Sequence, residues 1–176
     1  QSKYPYYASN KDKTLSVPFT AEETLLVKAE AEIIQKQYDA AVADLNTWTS
    51  AYLNTTKKSF TKEDIIAFYK ALEYNSEAVP TMKKKLHPAF TLDGGEDQEM
   101  LLHHLLQCRR VATAHEGLRW FDIRRYGIEV YRFVHDTKDR AKVTVAKTLS
   151  SWDEHTTFQI PQNVRNAGLE PTPRTK

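Results

Sequence analysis

Cysteine is nearly missing from this chain: Cys108 stands alone among 176 residues. A single thiol excludes an internal disulfide and any structural zinc site built from several cysteines. No apolar run approaches the roughly 18 residues needed to cross a bilayer as a helix, and the first residues carry no signal-peptide pattern. Charge of one sign is not in surplus either, since 25 Lys and Arg face 23 Asp and Glu for a net +2. A dedicated nucleic-acid binder carries a marked basic excess, so nucleic acid is set aside as a partner. The same balance is too weak to attract an anionic membrane surface. Gly-x-Ser-x-Gly, a phosphate-cradling Gly-rich loop and His-Glu-x-x-His are all lacking.

The remaining composition is that of an ordinary globular chain, with 40% hydrophobic and 27% charged residues. A chain of this length forms one domain and buries roughly two-thirds of its unfolded surface. It begins with Gln1 rather than Met. Gln-Ser-Lys-Tyr-Pro-Tyr-Tyr reads as mid-chain surface loop, so the expectation is a piece of something longer.

Periodicity predicts a mainly α fold. Residues 1–19 read as an extended lead-in closed by Val17-Pro18-Phe19. Thr20 and Glu23 then form a capping box, with Phe19 placed to staple Thr24 or Leu25. Leu25, Leu26, Ala29, Ile33 and Ile34 follow helical spacing. After a break near Gln37 and Tyr38, Ala40, Ala41, Leu45 and Trp48 continue as a second helix to about Leu53. Ala29 and Ala41, twelve residues apart, are the small positions expected of a tetratricopeptide-like helical hairpin over 20–53. Such a hairpin cannot bury its outer faces alone, and no second copy follows. Thr61 and Asp64 cap a third helix carrying Ile65, Ile66, Phe68, Tyr69 and Leu72. Turn residues fill 75–95. A fourth helix is expected over 97–115, with Leu101, Leu105, Cys108, Ala112 and His115 as its apolar seam, and a short fifth over 118–126. Residues 140–176 read as short strands, at Val143 and Val145 and again at Thr157 to Ile160, before a Pro-rich tail. The fold class is thus further helices around the hairpin, with short strands near the C-terminus.

Several clusters invite chemistry. His104 and Cys108 are four apart and have metal-ligand spacing. His115 lies eleven residues beyond His104, about 16 Å along a helix, which is too far to share the ion. Two ligands on an apolar seam favour packing, so no metal is expected. Asp93-Gly-Gly-Glu-Asp97 lacks the calcium-loop spacing and reads as acids complementing a helix N-terminus. Glu22, Glu23, Glu30 and Glu32 read as the wet face of the first helix. Leu118 to Tyr126 crowds rings beside guanidiniums. Asp122 lies three residues from both Arg119 and Arg125, and Trp120 lies four from Arg124, within reach of a cation–π contact. The expected role is a brace, with the aromatics pinned into a core and the arginines held by Asp122 and Glu116 or by backbone carbonyls. Exposed stacking on bases or sugars is the alternative.

This stretch resembles the hallmark of the SusD/RagB family of outer-membrane nutrient-binding lipoproteins, Arg-Arg-x-Glu-Leu-Ala-x-Glu-Gly-x-Arg-Trp-Phe-Asp-Leu-Arg-Arg. Arg109, Arg110, Ala114, Glu116, Gly117, Arg119, Trp120, Phe121, Asp122, Arg124 and Arg125 match in order. Ala112, Thr113, His115 and Ile123 depart from it. "VPFTAEETLLVKAEAEIIQKQYDAAVADLN" resembles the family's Glu-x-x-Leu-x-x-Ala-Glu helix and following turn. "FQIPQNVRNAGLEP" resembles its closing Pro-Ile-Pro-Gln segment, with Gln159 replacing the first Pro. The three segments span residues 17–171 and match the C-terminal part of a typical member.

The resemblance implies a non-catalytic role without a cofactor: capture of a glycan or oligopeptide at the cell surface, as partner subunit of a TonB-dependent outer-membrane transporter. It implies a lipid anchor on a preceding N-terminal half of the same protein. It also assigns Glu116 to Arg125 to structure rather than to ligand contact. Weak ligand-binding candidates are Trp48, Tyr74, Trp152 and the Tyr4, Tyr6, Tyr7 cluster, and the hydrolase alternative has no carboxylate pair to point to. A helical-repeat scaffold that binds a protein partner and no nutrient is the other reading.

Overall fold

Thr20 opens the first helix, α1 (Ala21–Ile34), in the computed structural model, which describes residues 20–54, 56, 59–139 and 142–173. Its hydroxyl accepts from Glu23 N at 3.0 Å, and Glu23 Oε2 accepts from Thr20 N at 3.1 Å. This closes the box that the Thr-x-x-Glu spacing predicts. The helix ends where Lys36 turns left-handed at φ 62°. Lys36 N then donates to Ile33 O and Gln37 N to Glu32 O, a Schellman closure in which a lysine stands where glycine is usual. The Phe19 staple, the lead-in and the Tyr4, Tyr6, Tyr7 cluster lie outside the described residues.

The chain reverses into α2 (Tyr38–Tyr52), which packs along α1. Ala29 and Ala41 are fully buried there, and their lack of bulk lets Leu26, Ile33, Leu45 and Trp48 close around them. The Asn46 amide ends this unit by bonding both backbone groups of Phe60, each at 2.9 Å. Thr61 and Asp64 form a second capping box at the start of α3 (Lys62–Ala71). Residues 75–92 carry no regular element. The longest helix, α4 (Gly95–Ala112), then packs against both α1 and α3. Buried Gln98 joins two helix ends: its Nε2 donates to Ile33 O at 3.0 Å, and its Oε1 accepts from Gly94 N at 3.0 Å. Asp93 before α4 pairs with Lys36 at 2.8 Å, and Asp97 in its first turn pairs with Lys70 at 3.0 Å.

A seven-residue helix, α5 (Arg119–Arg125), leads into an antiparallel hairpin of β1 (Val130–His135) and β2 (Val143–Leu149). Its register steps from Arg132–Lys147 to Phe133–Val145, leaving Ala146 as the extra residue of a bulge. A 3₁₀ turn (Glu154–Thr156) and α6 (Gln162–Asn166) complete the described chain. The fold is mainly helical with one small two-stranded sheet near the C-terminus.

Four expectations need correction. The fourth helix stops at Ala112, and His115 sits beyond it in a left-handed turn at φ 69°. The seam therefore ends with Ala112, and His115 is exposed. Thr157 to Ile160 is not a strand. The Gln159 amide instead bonds the backbone of Thr172, accepting from its N–H at 2.7 Å and donating to its carbonyl at 3.1 Å. The strand that does pair with Val143 to Leu149 is Val130 to His135, ahead of the region where strands were expected. Finally, Glu22 and Glu30 are buried rather than wet. Trp48 Nε1 donates to Glu22 Oε1 at 2.9 Å, so one carboxylate answers the indole that enters the core.

Candidate functional site

Glu30 lies four residues after Leu26 and three before Ile33, on the stripe of α1 that faces the core. Three donors converge on it. Arg109, from the last turn of α4, and Tyr126, just after α5, both donate to it. Arg125 Nε reaches its Oε1 at 2.8 Å. A second carboxylate, Asp122, accepts from Arg109 Nη1 at 3.3 Å and from Arg119 Nη1 at 3.4 Å. Arg109 therefore bridges two buried carboxylates and ties α1, α4 and α5 into one ionic hub. Gly117 at φ 77° makes the left-handed turn that brings α5 back against α4.

The two acids respond oppositely to burial. Desolvation pushes Glu30 upward, but the Arg109 charge and the bonds from Tyr126, Arg109 and Arg125 outweigh it and hold the carboxyl below its ordinary value. In Asp122 burial wins and the carboxyl is raised, because its arginine bonds are long and Glu30 adds a like charge. Tyr126 is raised by its burial and by Glu30. Across the C-terminal end of α4, burial and then Arg110 and Arg119 push the Lys84 amine down to about 8. Over the hub lies a cleft of about 470 Å³, walled by Leu26, Val27, Phe121 and the charged groups.

The brace expected from the sequence is differently wired. Asp122 pairs with Arg119 but not with Arg125, whose partner is Glu30. Phe121 is 67% exposed, not pinned into a core. Trp120 is half-buried, with its Nε1 buried and unpaired. The guanidinium over rings is Arg125, 4.9 Å from the Phe90 centroid and 6.0 Å from that of Tyr126, in place of Arg124 over Trp120. Glu116 lies in the turn ahead of α5 and Arg124 is exposed. Glu30 and Tyr126 are the members that sequence reasoning missed. The helical phase of Glu30 with Leu26 and Ile33 was the available signal.

The remaining candidates separate clearly. Trp48 is 1% exposed and belongs to the core, so it offers no ligand surface. Tyr74 donates to Glu99 Oε1 at 2.7 Å and lies under the Lys83 ammonium. Trp152 is half-exposed, and its Nε1 donates to His87 O at 2.8 Å. A second cleft of about 430 Å³ has Glu99 and His87 in its wall, so Tyr74 and Trp152 each bond to a residue of one cavity. His104 and Cys108 touch at 3.9 Å in the α3–α4 packing. Burial lowers the imidazole to about 4 and raises the thiol to about 12. Among the described residues no group of three His, Cys, Asp or Glu is placed to hold an ion, and no helix is long and apolar enough to cross a membrane. No family model, no curated protein and no solved structure matches this chain.

Proposed function

We propose that the protein is a non-catalytic subunit that captures a nutrient, glycan or oligopeptide, at the cell surface for a TonB-dependent outer-membrane transporter. The observation that supports this reading is the meeting of two segments that each carry the SusD/RagB resemblance. Glu30 of the first and Arg109, Arg119, Asp122 and Arg125 of the hallmark share one ionic hub. Residues far apart in the chain thus form a single structural device, as a hallmark that carries structure rather than ligand contacts requires. The reading includes a lipid anchor on a preceding part of the same protein.

The test is purification of the native protein from its own cells in mild detergent, with intact mass and N-terminal sequence determined. A lipidated species that co-elutes with a TonB-dependent barrel is the expected result. An unlipidated protein without a barrel overturns the reading. The scaffold alternative gains from one observation, the exposed Val27 and Phe121 at 57% and 67% beside the hub cleft. A photo-crosslinker at position 121 that captures a partner other than the barrel favours it.

A further inference from the structure

Arg125 is held at one edge and open at the other. Its Nε donates to Glu30 Oε1 at 2.8 Å, and its guanidinium carbon lies 4.9 Å from the Phe90 ring centroid. These two contacts orient the plane of the fork. Yet half of the side chain is exposed, and neither Nη nitrogen makes a hydrogen bond to a described residue. A planar fork fixed in this way, with its outer edge free, suits a carboxylate that accepts two parallel N–H bonds. Charge points the same way. Three guanidiniums, of Arg109, Arg119 and Arg125, share two carboxylates, of Glu30 and Asp122, so the hub keeps a positive surplus. Burial, and after it Arg110 and Arg119, depress the Lys84 amine, which reports a positive field beside Arg119.

The cleft that Arg125 borders offers room for more than an ion. Leu26, Val27, Leu118 and Phe121 stand in its walls, and its volume of about 470 Å³ lies in the range of small-ligand sites. Val27 and Phe121 are left 57% and 67% exposed, apolar surface that an apolar ligand body would take out of water. Glu23 marks the far end of the cleft. It lies seven residues before Glu30 on the same face of α1, about 10 Å along the axis. We propose that this cleft binds an amphipathic monocarboxylate, a medium-chain carboxylic acid, with its acid group on the outer edge of Arg125 and its chain between Leu26, Val27 and Phe121. The inference goes beyond nutrient capture and does not depend on it. It gives one member of the hub a second duty, since the Nε of Arg125 is engaged in structure and the Nη edge is not. A cationic head is opposed by Arg125, and a second acid group at the end of the chain would meet the Glu23 carboxylate.

The experiment is a methyl NMR titration of the wild-type chain with octanoate. The Leu26, Val27 and Leu118 methyls should shift saturably. Hexanoate should bind roughly tenfold more weakly, as two fewer buried methylenes require. Octyltrimethylammonium carries the same tail on the opposite charge, and octanedioate carries a second acid group to the Glu23 end. Each should bind at least roughly tenfold more weakly than octanoate. Phe121→Ala, at an exposed position outside the hub bonds, should weaken octanoate severalfold, and Arg125→Gln should weaken it by roughly tenfold or more. If Arg125→Gln unfolds the chain, octanoate against octyltrimethylammonium in the wild type reads the same charge. No saturable shift with octanoate, equal binding of the cation or the diacid, or full affinity in Phe121→Ala overturns the proposal. A protein crosslinked at position 121 whose capture octanoate leaves unchanged assigns the cleft to that partner and also overturns it. Co-purification of a transporter, or its failure, bears on the capture role alone.

Discussion

Glu30 is buried with three donors, so removing it leaves two guanidiniums and a phenol without their shared acceptor. Breaking one side of a buried ionic network costs about 3–5 kcal/mol. Glu30→Ala should lose that much in urea unfolding, and a loss below about 1 kcal/mol would mean that the hub carries no stability. The pH signature of the hub is mixed. Glu30, lowered in the fold, contributes stability that is present above its unfolded value and lost as pH falls through the folded one. Asp122, raised in the fold, contributes stability that is present below its unfolded value and lost as pH rises through the folded one. His104 gives the cleaner test. Burial holds it to about 4, so the fold favours the neutral ring. Its contribution is complete above the unfolded value near 6.5 and declines as pH drops toward 4. The decline is on the order of 3 kcal/mol. His104→Leu should remove that part of the slope of stability between pH 7 and 4. Parallel wild-type and variant curves would refute it.

At the scale of elements, α5 carries neighbouring aromatics with different duties. Phe121 is mostly in solvent, so Phe121→Ala should change stability by less than about 0.5 kcal/mol. Trp120 is half-buried, and Trp120→Ala should cost about 2–3 kcal/mol, below the full-core figure for such truncations. Equal melting of the two variants would remove Trp120 from the brace. Local chemistry made the helix starts legible. Thr20 with Glu23 and Thr61 with Asp64 are capping boxes in sequence and in structure. The small pair Ala29 and Ala41 likewise marked where two helices approach. What was illegible depended on partners distant in the chain. The residues of β1 face solvent or are only partly buried, so their alternation has no buried face to report it. Thr157 to Ile160 has strand-like spacing, but the Gln159 amide supplies the bonds that a partner strand would have made. Glu30 was misassigned because a charge at a core phase reads as solvent-facing until Arg109, 79 residues away, is placed beside it. The hub cleft, walled by residues 23–30 and 109–125, left no local trace.

The whole molecule divides by burial. Its buried apolar side chains come chiefly from α1, α2 and α4, with Ile65, Ile66 and Tyr69 of α3 and Tyr126 and Ile128 after α5. The hub fastens α5 to this body through buried charges, whereas the β1–β2 hairpin has no buried residue in either strand. Its backbone bonds are mutual, and a two-stranded hairpin without a packed face is marginal alone. Opening free energies should therefore rise from the hairpin to the helical body rather than share one value. Native-state hydrogen exchange checks this. The amides of Val130 to His135 and Val143 to Leu149 should exchange through local opening, insensitive to low denaturant. Those of Leu101 to Cys108 should exchange only with global unfolding. In Glu30→Ala the α4 amides should lose protection in step with global stability, while the hairpin stays as it was. Hairpin amides as slow as those of α4, or a hairpin that weakens with the hub, would show that the sheet belongs to the cooperative core.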